Sequence, residues 1–149
     1  MASITKSTDI NTPANVIWDA LRDFGALHER LVPGFVTELR MVGDDVRALT
    51  FFNGARARER LVTIDDEQRR LVYTVVESAL NGTHDNSSAQ VFDLGDGTSR
   101  FVWIKDVLPD TLEPIIDGLM SHGISVIKST MESHATGVSA TPRRATPRR

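Results

Sequence analysis

The stretch Arg56-Ala57-Arg58-Glu59-Arg60-Leu61-Val62-Thr63-Ile64-Asp65 alternates between two kinds of side chain. In an extended strand, Arg56, Arg58, Arg60 and Val62 fall on one face, and Ala57, Glu59, Leu61 and Thr63 on the other. The arginines read as the solvent face, which sends the Glu59 carboxylate inward. A buried charge needs a partner or must neutralise. A lone inward carboxylate in a small β-rich domain therefore points to a lined cavity more than to a packed core.

Working outward, further strands are expected over residues 3–10, 35–42, 46–52, 70–77, 87–94 and 100–108. Asn53-Gly54, Asn81-Gly82 and Asp96-Gly97 are hairpin pairs, because these residues accept positive φ cheaply. Turns of this kind between neighbouring strands imply an antiparallel meander. Between the first and second strands, Thr12-Pro13 reads as an N-cap followed by proline at the first helical position. Val16, Ile17, Ala20, Leu21 and Phe24 follow at helical spacing, and Gly25 supplies the stop. A second short helix is expected over 26–31, before Pro33-Gly34.

After Pro109 the period returns to 3.6. Leu112, Ile116, Leu119, Gly123, Val126 and Thr130 form one stripe, broadened by Met120, Ile127 and Met131. Asp110 and Glu113 have capping-box spacing, but Pro114 removes an N–H, so the regular helix is expected to begin near Pro114 and run to about His134. Gly118 and Gly123 lower its propensity and leave room either for a ligand or for close helix–sheet contact. The order strand, two helices, six strands, long helix gives an α+β fold. A seven-stranded curved antiparallel sheet wraps a long C-terminal helix, with two short helices after the first strand plugging one end. The gap between sheet and helix is where a ligand would sit.

The chain has 149 residues, the length of one domain. Hydrophobic residues make up 40% and charged residues 25%, the composition of a soluble globular protein. There is no apolar run near the ~18 residues a membrane span needs and no signal peptide pattern, so the expected location is cytoplasmic. The absence of cysteine excludes disulfides, thiolate metal sites and a cysteine nucleophile. Asn81-Gly82-Thr83 and Asn86-Ser87-Ser88 match a glycosylation triplet, which without a secretory signal is read as chance. Thr141-Pro-Arg-Arg-Ala-Thr-Pro-Arg-Arg149 repeats a basic motif and reads as a solvated tail outside a domain spanning 1–135. Formal net charge is −3, and −7 once the four tail arginines are set aside. An acidic body argues against nucleic acid as the main partner. No metal signature, P-loop, dinucleotide fingerprint or nucleophile elbow is present, so no cofactor is implied. The expected state is a monomer or homodimer.

The block Arg58-Glu-Arg-Leu-Val-Thr-Ile-Asp-Asp-Glu67, followed by Arg70-Leu-Val-Tyr-Thr-Val-Val-Glu-Ser78, resembles a run shared by the START-like, or SRPBCC, superfamily of helix-grip proteins. Its bacterial members include polyketide cyclase/dehydrase-like proteins. Asp23-Phe24, Pro33-Gly34 and Thr98-Ser-Arg-Phe-Val-Trp103 extend the likeness over residues 3–135. These motifs place strands and turns; they identify the fold well and the chemistry poorly.

The plant abscisic-acid receptors belong to the same superfamily. Laid on this chain, their pocket glutamate falls on Glu59, a pocket aromatic on Tyr73, the gate loop on Phe52-Asn-Gly-Ala55 and the latch loop on residues 78–82. The receptor's pocket tyrosine falls on Asp85, its pocket serine on Ser87 and its late-strand glutamate on Val102. The gate lacks the receptor's proline and leucine, and the latch has Leu80-Asn81 in place of His-Arg. Hormone recognition and the receptor's phosphatase partner are therefore not supported. Residues 79–85 also replace a P-x-x-N-Y segment common in the bacterial family, a departure that leaves the family's ligand open for this chain.

Glu59 and Tyr73 come from neighbouring strands and both point inward, Tyr73 with Leu71, Val75 and Glu77. They could orient a ligand's polar group, act as general base and proton donor, or form a structural pair with a cavity water. Asp85 and Ser87 face inward if the preceding turn has the family's length, with His84 outward. His28-Glu29 is expected near the cavity mouth, and His122 near the edge of the helix stripe. The resemblance implies that Val102 and Ile104 face the cavity and Trp103 covers the other face. The apolar wall is then Leu49, Phe51, Leu61, Val75, Ile104, Ile116 and Met120, with Val102 and Gly123 alongside.

Three functions are consistent with this reading. One is binding of a small lipophilic molecule, aromatic or polyketide-like. Another is a cofactor-independent cyclase or dehydratase with Glu59 as acid/base and Tyr73 as its partner. The last is a protein-interaction module using the two loops.

Overall fold

The computed structural model describes residues 2–135; the basic repeat at 141–149 lies outside the described residues. Seven strands form one antiparallel sheet: β1 (Ala2–Ile10), β2 (Val36–Val42), β3 (Val46–Phe51), β4 (Arg56–Asp65), β5 (Arg70–Ser78), β6 (His84–Gly95) and β7 (Thr98–Leu108). Their spatial order is β1-β7-β6-β5-β4-β3-β2, so the first strand closes beside the last and the other five connections are hairpins. Asp96 (φ 56°) and Gly97 (φ 77°) turn the β6–β7 hairpin in left-handed conformations, the geometry a tight antiparallel turn needs.

Two short helices, α1 (Ala14–Arg22) and α2 (Leu27–Arg30), follow β1, joined by a 3₁₀ turn at Phe24–Ala26. Thr12 does not cap α1. Its hydroxyl instead donates to the Met131 carbonyl (3.0 Å), while Ser99 Oγ donates to the Thr12 carbonyl (2.6 Å). The corner between β1 and α1 is thereby tied to β7 and to the C-terminal helix. The Asp65-Asp66-Glu67 motif is likewise structural. Asp65 Oδ1 accepts from the N–H groups of Glu67 and Gln68, closing the β4–β5 turn. Asp66 Oδ1 accepts from Trp18 Nε1 (2.9 Å) and Arg22 Nε (2.8 Å), clamping α1 to that turn.

The long helix α3 (Glu113–Ala135) follows a 3₁₀ turn at Asp110–Leu112, so Pro114 sits in its first turn, where a missing N–H costs nothing. Its buried residues include Ile116, Met120, Ile124, Ile127 and Met131. These pack in two clusters. The larger joins α1, α2 and the sheet centre around Ile17, Leu71, Val91 and Phe101. The smaller joins Ile116 and Met120 to Ala2, Ile4 and Val107, and Trp103 packs against both. Each fully buried large apolar side chain contributes about 1.5–3 kcal/mol. At Gly123 the helix approaches the sheet so closely that a Cβ would lie 3.2 Å from the Trp103 ring and 3.3 Å from Phe35. That glycine therefore serves helix–sheet contact and not ligand space.

Two β-bulges change which side chains face inward. On β4, Leu61 opposes Tyr73 but Thr63 opposes Val72, leaving Val62 as the extra residue. Thr63 is consequently turned out, and Ile64, opposite Leu71, is turned in. On β5, Val75 opposes Glu59 while Glu77 opposes Arg58, so Val76 is extra and Glu77 faces outward beside Arg58 (3.5 Å). An extra residue in one strand resets its period of two, and strict alternation misplaces every side chain beyond it.

Candidate functional site

A cavity of about 220 Å³ lies between the sheet and α3, beneath α2. Leu49, Phe51, Val75, Ile116 and Met120 line it, as expected from the sequence, together with Leu27, Leu31, Phe35, Phe101 and Trp103. Its polar wall is built from Arg47, Glu59, Tyr73, Asp85 and Lys105.

Glu59 is not alone. Arg47 stands directly opposite it on β3. Arg47 Nε donates to Glu59 Oε1 (2.9 Å), Nη2 lies in ion-pair contact with the same oxygen (2.8 Å), and Nη1 donates to the Phe24 carbonyl (3.1 Å). The two side chains are 4% and 8% exposed, so the pair is truly interior. The guanidinium also lies 3.9 Å from the centroid of the Phe24 ring and 5.1 Å from that of Tyr73. Arg47 shares its strand face with Leu49 and Phe51. That alternation was the signal that could have found it.

A second buried pair stands on the other side of Tyr73. Lys105 Nζ donates to Asp85 Oδ1 at 2.5 Å and lies 5.6 Å from the Tyr73 ring centroid. Burial opposes the Lys105 ammonium, but the Tyr73 oxygen and the Asp85 and Glu59 carboxylates outweigh it, so its pKa is raised. The Tyr73 hydroxyl accepts a hydrogen bond from Trp103 Nε1 (3.2 Å). Burial, reinforced by the Glu59 charge, raises the Tyr73 pKa, so it remains a phenol at neutral pH. Ser87 lies between Tyr73 and Lys105, directly opposite each on its neighbouring strand. It is 1% exposed, does not line the cavity, and sets its hydroxyl against that of Tyr73.

Lys105 shows that the expected facing of β7 was inverted. Ser99, Phe101, Trp103, Lys105 and Val107 pair with the inward residues of β1 and β6, and four of the five are buried, while Trp103 packs on the core. Val102 and Ile104 point to the other face and do not line the cavity. The resemblance had set Val102 and Ile104 inward; the burial of Lys105 that the observed facing requires is made tolerable by its partner Asp85, distant in sequence. Among the other expected residues, Leu61 packs on the core without reaching the cavity wall, and Gly123 fills its role in helix contact.

The two loops meet at the mouth. Asn53 and Ala55 from the β3–β4 turn, and Ser78, Ala79 and Leu80 from the end of β5, line the cavity with Ile115 and Leu119 of α3. Phe52 stacks on Phe35 (centroids 5.6 Å apart), and His122 sets its ring edge-on to both, 5.0 Å from Phe35 and 4.8 Å from Phe52. His122 is thus an exposed residue of the mouth and not of the wall. His84 is exposed and faces away from Asp85. His28 lies 3.8 Å from Glu29 and has a buried Nδ1 without a partner, off the cavity wall. Among the described residues no helix is long and apolar enough to cross a membrane.

Solved structures share this architecture. A Thermobifida fusca protein is 27% identical, with TM-score 0.71 over 95% of this chain and 99% of its own. The Zhui aromatase/cyclase of Streptomyces sp. R1128 is 14% identical, with TM-score 0.74 over 91% and 93%. Norcoclaurine synthase of Thalictrum flavum, solved with dopamine and hydroxybenzaldehyde, is 17% identical, with TM-score 0.70 over 94% and 89%. At such identities the Streptomyces and Thalictrum likenesses speak to the fold alone. None of the curated proteins matches the chain. The family model described as "Polyketide cyclase / dehydrase and lipid transport" matches residues 1–132. With a match of that extent over a helix-grip fold and its hydrophobic cavity, the chain belongs to the polyketide cyclase/dehydrase family of the START-like superfamily.

Proposed function

We propose that the protein binds a compact, largely apolar small molecule between the sheet and α3. The observation that carries this reading is the distribution of polarity. The cavity is apolar except for one wall, where Arg47–Glu59 and Lys105–Asp85 flank Tyr73. Apolar cavities with a few convergent polar groups are the general form of small-molecule sites. The volume is below the ~300–1,000 Å³ usual for drug-sized ligands, which favours a molecule of one or two rings; an apolar cavity of about 150 Å³ holds benzene.

The same wall bears on the catalytic alternative. A cyclase or dehydratase using Glu59 as acid/base calls for a carboxylate free to exchange a proton. Here Oε1 accepts from Arg47 Nε and is in ion-pair contact with Nη2, which favours a positioning role and hence binding over turnover. The mouth loops contribute residues to the cavity itself, which favours their serving ligand passage over a separate docking function.

Native mass spectrometry of protein purified from its own host, with the denatured extract analysed for released compounds, tests the proposal. A stoichiometric lipophilic compound is expected. Empty protein that also gives no thermal shift with aromatic or lipid compounds would refute it. Should a bound compound prove to be turned over, Glu59→Gln separates the roles: a positioning residue changes affinity, whereas an acid/base residue loses turnover with binding intact.

A further inference from the structure

Resting on that binding reading, the charge balance of the polar wall narrows the ligand's class. Arg47 and Lys105 supply two positive charges, and Glu59 and Asp85 two negative ones, each anion already paired with its cation. Among the described residues, no other charged side chain lines the inner wall; Arg56 stands at the mouth, exposed. A ligand carboxylate placed there would be a third buried anion against two cations, which low-dielectric surroundings penalise.

The unused hydrogen-bonding capacity is of the donor kind. An ammonium carries three N–H groups, and Lys105 commits one to Asp85. The Tyr73 oxygen accepts from Trp103, which leaves its own O–H free to turn into the cavity. Ser87, in register between the two, stands behind the cavity lining with its hydroxyl against that of Tyr73. Lys105 Nζ lies 5.6 Å from the Tyr73 ring centroid, so these two donors share one part of the wall.

We infer that the deep end of the ligand is a neutral carbonyl oxygen, received by Lys105 and Tyr73, and that the site selects compact neutral ketones over carboxylates. A carbonyl has two lone pairs and no charge. It accepts from both donors without disturbing the balance of the two ion pairs.

Three naphthalenes of nearly equal size test this by isothermal titration: 2-acetonaphthone, 2-naphthoate and 2-ethylnaphthalene. The ketone is expected to bind about ten-fold or more tighter than the hydrocarbon, the gain of one or two hydrogen bonds in a dry site. The carboxylate is expected to bind no better than the hydrocarbon. Tyr73→Phe and Lys105→Met should each remove most of the ketone's advantage over 2-ethylnaphthalene, the two ligands being compared within the same variant. Equal binding of ketone and hydrocarbon, or tightest binding by the carboxylate, would overturn the inference while leaving the cavity reading in place. Binding of none of the three would overturn both. Lys105→Met strands Asp85 and can fail to fold, in which case Tyr73→Phe and the ligand series on the unmodified protein decide.

Discussion

Replacing Arg47 by methionine keeps most of the side chain's bulk and removes the charge that balances Glu59. Both partners are almost fully buried, and Arg47 donates once to Glu59 Oε1 and once to the Phe24 carbonyl, with a second guanidinium nitrogen in ion-pair contact with Oε1. Breaking a buried pair from one side costs about 3–5 kcal/mol. Glu59→Gln leaves the guanidinium buried without its counter-charge, at a similar cost of about 3 kcal/mol. The double change Arg47→Met/Glu59→Leu removes both charges and is expected to cost far less than the sum of the single changes. Urea unfolding at pH 7 reads all three. With m about 2 kcal/mol/M, a loss of about 3 kcal/mol lowers the midpoint by about 1.5 M. Additive single costs would refute the claim that Glu59 is held as one half of a buried ion pair.

Other expectations rest on the same geometry. Gly123→Val places branched carbons against the Trp103 and Phe35 rings; unfolding measurements should show a loss of about 1–3 kcal/mol from overpacking, and a neutral result would mean the helix can shift. Phe52→Ala and His122→Ala should be coupled by about 0.5–1.5 kcal/mol in a double-mutant cycle, since their rings meet at 4.8 Å; additivity would deny a shared cluster at the mouth. Hydrogen bonds from Trp18, then Arg22, hold the Asp66 pKa below its ordinary value, and Arg100 and Arg30 do the same for Asp9 and Asp19. Depressed folded-state pKa values stabilise above the unfolded carboxylate pKa of about 3.9 and lose that contribution as pH falls through them. Tm should thus hold from pH 7 to about 5 and fall below about 4, with a smaller acid-side fall in Trp18→Phe; an identical pH profile in that variant would break the assignment.

Local periodicity carried the fold. The alternation in residues 46–51, 56–61 and 87–91, the positive-φ residues of the β6–β7 turn and the 3.6-residue stripe of α3 are properties of short windows. Because a strand's side chains alternate and a helix's recur every three to four residues in any surroundings, element order and the helix-grip layout were legible without coordinates. The inward placement of Glu59 and Tyr73 came from the same rule, whereas that of Asp85 rested on the turn length the resemblance implies. The composition of the site did not. Arg47 and Lys105 look like solvent residues in sequence, and only pairing across strands brings each to its carboxylate, 12 and 20 residues away. Two bulges, at Val62 and Val76, reset the alternation on β4 and β5. The facing of β7, which decides whether Val102 and Ile104 or Trp103 and Lys105 meet the cavity, depends on its register with β1, nearly a hundred residues upstream. Register and charge pairing are relations between distant segments, set by which arrangement leaves no buried charge unpaired and no apolar face in water. They were decided by the tertiary structure alone.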